Sequence, residues 1–134
     1  MKIYVAAKFQ EKDAAREVYK MFLDAGHAIT FDWTTEPERK DFFMRDPRPT
    51  EADFQTLQQE WAIKDLQGVI DCDVLILLPH PNSRGTYCEL GAALALGKKC
   101  LLVENRMLAP IDCIFFKHPD CVWIPGLTVP LLEQ

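Results

Sequence analysis

Short apolar runs alternate with helix-periodic segments along this chain, and that alternation is the feature that most constrains its fold. The runs cover residues 2–7, 28–31, 73–78, 100–104 and 121–124, and the helix-periodic segments cover residues 11–25, 51–70 and 86–96. Strands that alternate with helices predict a mostly parallel sheet with helices on both faces. We therefore expect a single α/β domain over residues 1–134, flavodoxin-like or Rossmann-like, with about five strands.

The position of a binding site follows from this expected sheet. In such folds, ligands bind outside the carboxyl ends of the strands. The segments to inspect are therefore Ala7-Lys8-Phe9 after the first strand, Asp32-Trp33 after the second, and residues 79–86 after the third. Residues 33–50 are rich in proline and charge without a clean period, and we expect a loop that is functional or partly mobile.

Composition excludes several classes of function. The net charge is -5, and no basic cluster exceeds two adjacent residues, which argues against binding to a nucleic acid polymer. A small phosphorylated ligand remains compatible, because it needs only one or two cations or a helix N-terminus. No run approaches the ~18 apolar residues of a membrane span.

Cysteine and histidine usage is typical of a protein of the reducing cytoplasm. The five cysteines include no C-x-x-C pair, and the three histidines stand far apart without ligand-like spacing. We therefore expect no disulfide framework, no metal site and no cofactor.

One carboxylate falls on the apolar face of the segment 51–70. At 100° per residue, Asp65 lies within a stripe formed by Phe54, Leu57, Trp61 and Val69. An ionised carboxylate on a buried face is costly unless it is paired or hydrogen-bonded. Either Asp65 bonds nearby backbone or a tyrosine hydroxyl, or the stripe ends at a cleft where Asp65 faces a ligand.

Glu89 is the only charged residue between Arg84 and Lys98, at the start of an otherwise apolar helix. Thr86 and Glu89 fit the capping-box pattern T-x-x-E, in which the glutamate bonds the helix backbone. Alternatively, Glu89 is an exposed carboxylate in the first helical turn, kept ionised by the helix dipole and able to act as a nucleophile. Both interpretations are open from the pattern alone.

Four sequence elements together resemble a known family. They are I-Y-V-A, the stretch K-D-L-Q-G-V-I-D-C-D-V-L-I-L, a loop with S-x-G-T, and E-L-G-A-A-L-A-L-G-K-K. In this order and spacing they resemble the nucleoside 2-deoxyribosyltransferase superfamily, which includes deoxynucleoside 5'-monophosphate N-glycosidases and CMP hydrolases. The resemblance covers roughly residues 2–104. It implies an enzyme that cleaves the N-glycosidic bond of 2'-deoxynucleosides and transfers the deoxyribosyl group to another nucleobase.

The resemblance implies catalytic roles for three residues. Glu89 matches the nucleophile that holds the sugar as a covalent glycosyl ester, and Asp65 matches the acid/base that serves the departing or incoming base. Tyr4 matches the strand tyrosine whose hydroxyl orients the nucleophile. Retaining glycosidases likewise use one carboxylate as nucleophile and a second carboxyl group as acid and base. We therefore expect an ionised Glu89 and an Asp65 with a raised pKa.

The resemblance also implies substrate-binding residues. Ser83 and Gly85 belong to the S-x-G-T loop, and Ser83 stands where monophosphate hydrolases typically carry a phosphate-binding serine and nucleoside transferases often carry Asp. Lys8 and Arg84 are candidate cations for a 5'-phosphate, although the serine and arginine common after the first strand of the hydrolases are absent. Phe9 and Trp33 are candidates to stack on the base, and each is equally expected in the core.

Three alternative functions remain open. The first is hydrolysis of (deoxy)nucleoside 5'-monophosphates to free base and sugar phosphate. The second is NAD cleavage by a TIR-like glycohydrolase, and the third is a non-enzymatic nucleotide-binding module. The resemblance further implies a homodimer or higher homo-oligomer, for which the apolar segment 105–125 could supply the interface.

Overall fold

The computed structural model describes residues 1–105 and 111–125 of the chain. Five strands form one sheet: β1 (Lys2–Ala6), β2 (Ala28–Ile29), β3 (Val74–Leu77), β4 (Lys99–Val103) and β5 (Cys121–Ile124). The neighbouring strands pair in parallel, in the order β2-β1-β3-β4-β5. This is the order of a flavodoxin-like doubly wound sheet, so the predicted fold class is confirmed.

Helices cover both faces of the sheet. The described α-helices are α1 (Lys12–Asp24), α2 (Arg39–Phe42), α3 (Glu51–Asp71) and α4 (Arg84–Ala95), and short 3₁₀ helices cover Phe9–Glu11, Trp33–Thr35 and Ile114–Lys117. The chain runs from β1 to one edge of the sheet through α1, and then towards the other edge through α3 and α4. Because parallel crossovers are right-handed, α1 lies on one face and α3 and α4 lie on the other.

The side chains of β1 divide between these two faces. Successive strand residues point to opposite sides, so Ile3 and Val5 face one layer of helices and Tyr4 faces the other; all three are fully buried. A Cβ atom at Gly68 of α3 would lie only 2.8 Å from the Tyr4 ring. A glycine at this position therefore allows α3 to pack directly against Tyr4.

The segment 33–50 is folded rather than a simple loop. Besides one 3₁₀ turn it contains α2. Phe42 at the end of α2 and the next residue, Phe43, pack against Phe54 of α3, with ring centroids 5.3 and 5.6 Å from that of Phe54. The Arg39 guanidinium lies 5.1 Å from the Phe43 ring centroid and 4.9 Å from that of Phe54. The sequence did not reveal this packing, because elements of three or four residues are too short to show a period.

The strand after α1 is shorter than predicted. β2 ends at Ile29, two residues before the predicted end, because the chain then turns across the carboxyl edge of the sheet. Thr30 Oγ1 donates to the Gly68 carbonyl at 2.7 Å, and Trp33 Nε1 donates to the Val5 carbonyl at 2.7 Å. These bonds hold the segment after β2 against β1 and α3.

Part of the predicted interface segment 105–125 lies outside the described residues, namely residues 106–110. In the described part, Ile114, Phe115 and Trp123 are exposed, whereas Phe116 and Ile124 pack in the core. All five cysteines are free thiols. Within residues 1–105 and 111–125, no helix has the length and hydropathy needed to cross a bilayer, and no group of three or more His, Cys, Asp or Glu is placed to hold a metal ion.

Candidate active site

A cavity of about 300 Å³ opens at the carboxyl edge of the sheet. Its walls come from the segments after β1, β2 and β3, from the middle of α3 and from the first turns of α4. The strand order changes direction between β1 and β3, and ligands of doubly wound sheets bind at this switch point. The cavity therefore lies where the fold itself favours a ligand site.

Most of the predicted site residues line this cavity. They are Glu89, Asp65, Ser83, Gly85, Lys8, Phe9, Trp33 and Arg84. Tyr4 lies beneath the cavity, fully buried beside Glu89. The structure thus brings together residues that are up to 85 positions apart in the chain, on β1, α3, α4 and the loops between them.

The capping interpretation of Glu89 is wrong. Helix α4 begins at Arg84 with Ser83 as its N-cap, two residues earlier than predicted, so Thr86 is already helical. The Thr86 hydroxyl accepts a hydrogen bond from the Ser83 hydroxyl instead of capping the helix. Glu89 consequently lies beyond the first turn, where neither a capping bond nor a strong dipole effect reaches its carboxylate.

The environment of Glu89 also differs from the exposed, ionised carboxylate that was expected. Its Oε2 atom is buried and has no hydrogen-bond partner among the described residues. Burial raises the pKa of Glu89 to about 8, the Tyr4 hydroxyl opposes part of this rise, and the charge of Asp65 adds to it. The Tyr4 and Glu89 groups lie side by side, but their geometry does not meet that of a hydrogen bond.

Asp65 faces the same cavity from α3. Burial raises its pKa to about 6, and the negative charge of Glu36 adds to the rise. The expected direction of this pKa shift is confirmed, but the shift is smaller than that of Glu89. Its Oδ1 atom is buried without a hydrogen-bond partner in the described part of the chain, so the backbone or tyrosine bond considered from the sequence is not formed by this atom.

Three buried polar atoms in or beneath the cavity are therefore left without hydrogen bonds to the described residues: Tyr4 Oη, Asp65 Oδ1 and Glu89 Oε2. A buried polar atom without a partner costs about 1–3 kcal/mol, and native proteins retain few of them. The Tyr4 hydroxyl stays protonated, since burial first and then the charges of Glu89 and Asp65 raise its pKa. It can donate a hydrogen bond, and the two carboxylates can accept one or carry a proton.

Sequence reasoning missed Glu36 as a cavity residue and read Trp61 only as part of the apolar stripe. Both line the cavity, and Trp61 Nε1 donates to Glu36 Oε2 at 2.6 Å. The stripe that contains Trp61 and Asp65 was a usable signal, because residues four apart on a helix face the same way. Glu36 gave no such signal, since it lies in the aperiodic segment 33–50.

The cavity has two distinguishable ends, each continuing into a neighbouring cleft. At one end it shares Asn82, Ser83 and Arg84 with a cleft of about 430 Å³. At the other end it shares Phe9, Gln10 and Trp61 with a cleft of about 660 Å³. A ligand that spans the cavity would therefore meet the start of α4 on one side and an aromatic wall on the other.

The two candidate stacking residues differ in their surroundings. Trp33 is buried, and its ring nitrogen is held by the Val5 carbonyl, so it is a fixed wall of the cavity. Phe9 is only partly buried and lies 6.1 Å from Trp33 between ring centroids. Phe9 is consequently the ring with more freedom to adjust to a ligand.

Two solved structures of known proteins are similar to this chain in fold. The CMP N-glycosidase BcmB from Clostridium botulinum is similar in structure, with a TM-score of 0.61 and 20% identity over 92% of this chain and 88% of that chain. The 2-deoxyribosyltransferase from the psychrotolerant bacterium Bacillus psychrosaccharolyticus has a TM-score of 0.53 and 23% identity over 77% of this chain and 72% of its own. No curated protein matches the sequence significantly.

At this level of identity, the structural likenesses establish the fold only. The family is established by the sequence. The sequence pattern described as nucleoside 2-deoxyribosyltransferase matches residues 3–122, which is most of the chain. The chain belongs to the nucleoside 2-deoxyribosyltransferase family.

Proposed function

We propose that this protein cleaves the N-glycosidic bond of 2'-deoxynucleosides by double displacement and transfers the deoxyribosyl group to a second nucleobase. One observation carries the proposal: Glu89 and Asp65 line one cavity, and each has a buried carboxylate oxygen with no partner among the described residues. Family membership supports the reaction class, and the shared cavity supports Glu89 and Asp65 as the residues that perform it.

In the first step, a Glu89 carboxylate oxygen attacks the anomeric carbon of the sugar. The bond from this carbon to the base breaks, its electron pair goes to the base nitrogen, and Asp65 donates a proton to the departing base. The products are a neutral free base and a glycosyl ester of Glu89. The transition state has oxocarbenium character, so a carboxylate beneath the sugar stabilises it.

In the second step, another base attacks the same carbon while Asp65 removes its proton. The ester bond breaks, and its electrons return to the Glu89 carboxylate. Asp65 is then protonated again, as it was before the first step. If water attacks instead of a base, the same sequence gives hydrolysis.

The reaction requires an ionised Glu89 and a protonated Asp65, which together hold one proton. With pKa values of about 8 and about 6, the pair holds one proton between these pH values. Positive charge that develops on the sugar favours the ionised form of Glu89, and the adjacent Tyr4 hydroxyl can donate to it.

A second candidate function is hydrolysis of nucleoside 5'-monophosphates, and one specific observation favours it. Ser83 is buried at the N-cap of α4, with Arg84 next to it in the cavity wall and Lys8 in the same lining. The N-terminus of a helix together with a cation is a favourable site for phosphate. An uncharged serine at this place also avoids the repulsion that an aspartate would exert on a phosphate.

Product analysis tests these proposals. The wild type is incubated with deoxynucleosides and their 5'-monophosphates, with and without a second free base, and chromatography resolves base, sugar and exchanged nucleoside. Glu89→Ala is the test variant, and Glu60→Ala, which removes an exposed glutamate of α3, is the matched control. The NAD-cleavage alternative is tested with NAD in the same assay.

Each outcome of that assay has a definite meaning. Exchanged nucleoside that disappears in Glu89→Ala but persists in Glu60→Ala supports the transferase. Free base with sugar or sugar phosphate supports the hydrolase. No turnover of any substrate with ligand binding intact contradicts both and leaves a nucleotide-binding module.

We also propose that the protein forms a homo-oligomer in which a neighbouring subunit helps to close the cavity. The exposed side chains of Ile114, Phe115 and Trp123 supply an apolar surface for such a contact. Sedimentation equilibrium tests this part of the proposal, and a monomer at assay concentration contradicts it.

A further inference from the structure

Glu36 is placed at the aromatic end of the cavity, away from the start of α4. Its Oε2 atom accepts the Trp61 indole N–H at 2.6 Å, and Trp61 is shared with the cleft at that end. The sugar must lie over Glu89 for the proposed reaction. The base of a substrate that extends from Glu89 towards the aromatic wall therefore lies between Asp65 and Glu36.

One oxygen of Glu36 remains available to a ligand. The Trp61 indole is fixed to Oε2, and Oε1 forms no hydrogen bond to any other described residue. Glu36 itself is partly buried in the cavity wall. The indole bond limits the rotation of the carboxylate, so the free oxygen is presented at a defined place.

A carboxylate in this position distinguishes between nucleobases by their hydrogen-bonding groups. An ionised carboxylate only accepts hydrogen bonds. An exocyclic amino group, as on cytosine or adenine, donates an N–H to it, which is the contact that Glu and Asp make with cytosine in nucleic acids. A keto oxygen in the same place, as on uracil or hypoxanthine, leaves two acceptors facing each other without a proton.

We propose that Glu36 reads the base of the substrate and selects nucleobases with an exocyclic amino group over their keto counterparts. Trp61 is the positioning residue that holds the Glu36 carboxylate. This inference rests on the proposed N-glycosidic cleavage, because that reaction places the sugar at Glu89 and hence the base at Glu36.

The negative charge of Glu36 also has a second effect in the same site. After burial, it is the next cause of the raised pKa of Asp65. The residue that recognises the base thus lies close enough to the proposed acid to favour its protonated form. A correctly bound base would meet a proton donor on Asp65 and an acceptor on Glu36.

The test compares bases that differ by an amino-to-keto exchange. The ratio of kcat/KM for 2'-deoxycytidine over 2'-deoxyuridine, and for 2'-deoxyadenosine over 2'-deoxyinosine, is measured for wild type and Glu36→Gln, with the 5'-monophosphates as a parallel set. We expect a wild-type preference for the amino bases of about 10- to 100-fold, the range of one good side-chain contact to a base. In Glu36→Gln the amide oxygen accepts the Trp61 N–H and the amide N–H₂ faces the base, so the ratio falls to about one or inverts.

Two further variants separate recognition from general damage. Glu60→Gln changes an exposed glutamate of α3 that lines neither the cavity nor the two clefts next to it, so it should keep the wild-type ratio. Trp61→Phe removes the indole N–H and should reduce the ratio without inverting it. Thermal melting shows whether each variant is folded. Equal ratios in wild type and Glu36→Gln overturn the inference.

Binding separates this inference from the proposed function. Glu89→Ala is titrated with each nucleoside, using the fluorescence of Trp33 and Trp61 in the cavity walls. If no substrate turns over, the proposed function fails, but a tighter Kd for the amino base that is lost in Glu36→Gln still supports base reading by Glu36. Equal Kd values for the amino and keto bases, or no binding of either, overturn it.

Discussion

Burial of the Glu89 carboxylate predicts a pH-dependent loss of stability that the isosteric Glu89→Gln variant should not show. The pKa of Glu89 is raised from 4.5 to about 8 in the folded protein, so the folded state binds this proton more tightly than the unfolded state. Its contribution to stability is therefore complete below pH ~4.5 and is lost as the pH rises through about 8. The free energy of unfolding of the wild type should therefore fall with rising pH relative to that of the variant.

The size of the effect follows from the two pKa values. At about 1.4 kcal/mol per pKa unit, ionising Glu89 costs the folded protein on the order of 4 kcal/mol more at pH 9 than at pH 5. Solvent in the cavity screens part of this, so we expect about 2–4 kcal/mol. The free energy of unfolding of Glu89→Gln, relative to that of wild type, should therefore be larger at pH 9 than at pH 5 by this amount.

Urea unfolding at pH 5, 7 and 9 measures this difference directly. Asp65 titrates in both proteins, so its contribution largely cancels in the comparison. Glu60→Gln, which changes an exposed glutamate on α3, serves as the control and should differ from wild type by the same amount at each pH. A stability difference between wild type and Glu89→Gln that stays constant within about 0.5 kcal/mol from pH 5 to pH 9 would refute the burial of this carboxylate.

Three further predictions concern the same site. The pH profile of kcat/KM should be bell-shaped, with limbs near 6 and 8, because the active pair of Glu89 and Asp65 holds one proton; a profile that is flat between pH 5 and 9 contradicts this assignment. Gly68→Ala should lower the free energy of unfolding in urea by about 1–3 kcal/mol and lower kcat, because the added Cβ would lie 2.8 Å from the Tyr4 ring. A variant as stable as wild type would show that α3 can shift away from Tyr4 at little cost. Ser83→Asp should lower activity on 5'-monophosphates at least 10-fold relative to free nucleosides, since the added charge repels phosphate; an unchanged activity ratio in the chromatographic assay would place the phosphate elsewhere.

The sequence predicted the sheet and the placement of the two carboxylates better than the walls of the cavity. Strands such as β3 are continuous apolar runs, and Asp65 stood out because it interrupts an apolar stripe; both are periodic signals. The first turn of α4 was misplaced because Ser83 and Thr86 are equally good capping residues in the sequence. Only packing shows that the helix begins at Arg84.

The ionisation of Glu89 illustrates a different limit of sequence reasoning. A glutamate near a helix N-terminus predicts a low pKa from the dipole alone. In the folded protein, Glu89 lies beyond the first turn of α4, and burial raises its pKa instead. Burial depends on how α4 packs against Tyr4 and α3, which is a property of tertiary structure and leaves no trace in the local sequence.

The proposed chemistry and the proposed recognition are carried by different parts of the fold. Tyr4, Asp65 and Glu89 come from β1, α3 and α4, all on the same face of the sheet, and their relative positions are fixed by the packing that Gly68 permits. Glu36 lies in the short segment between Trp33–Thr35 and α2, held to α3 by one indole bond. Changes in that segment should therefore alter the preferred base with little effect on the carboxylate pair, whereas changes along the interface of β1 and α3 should impair cleavage of every base alike.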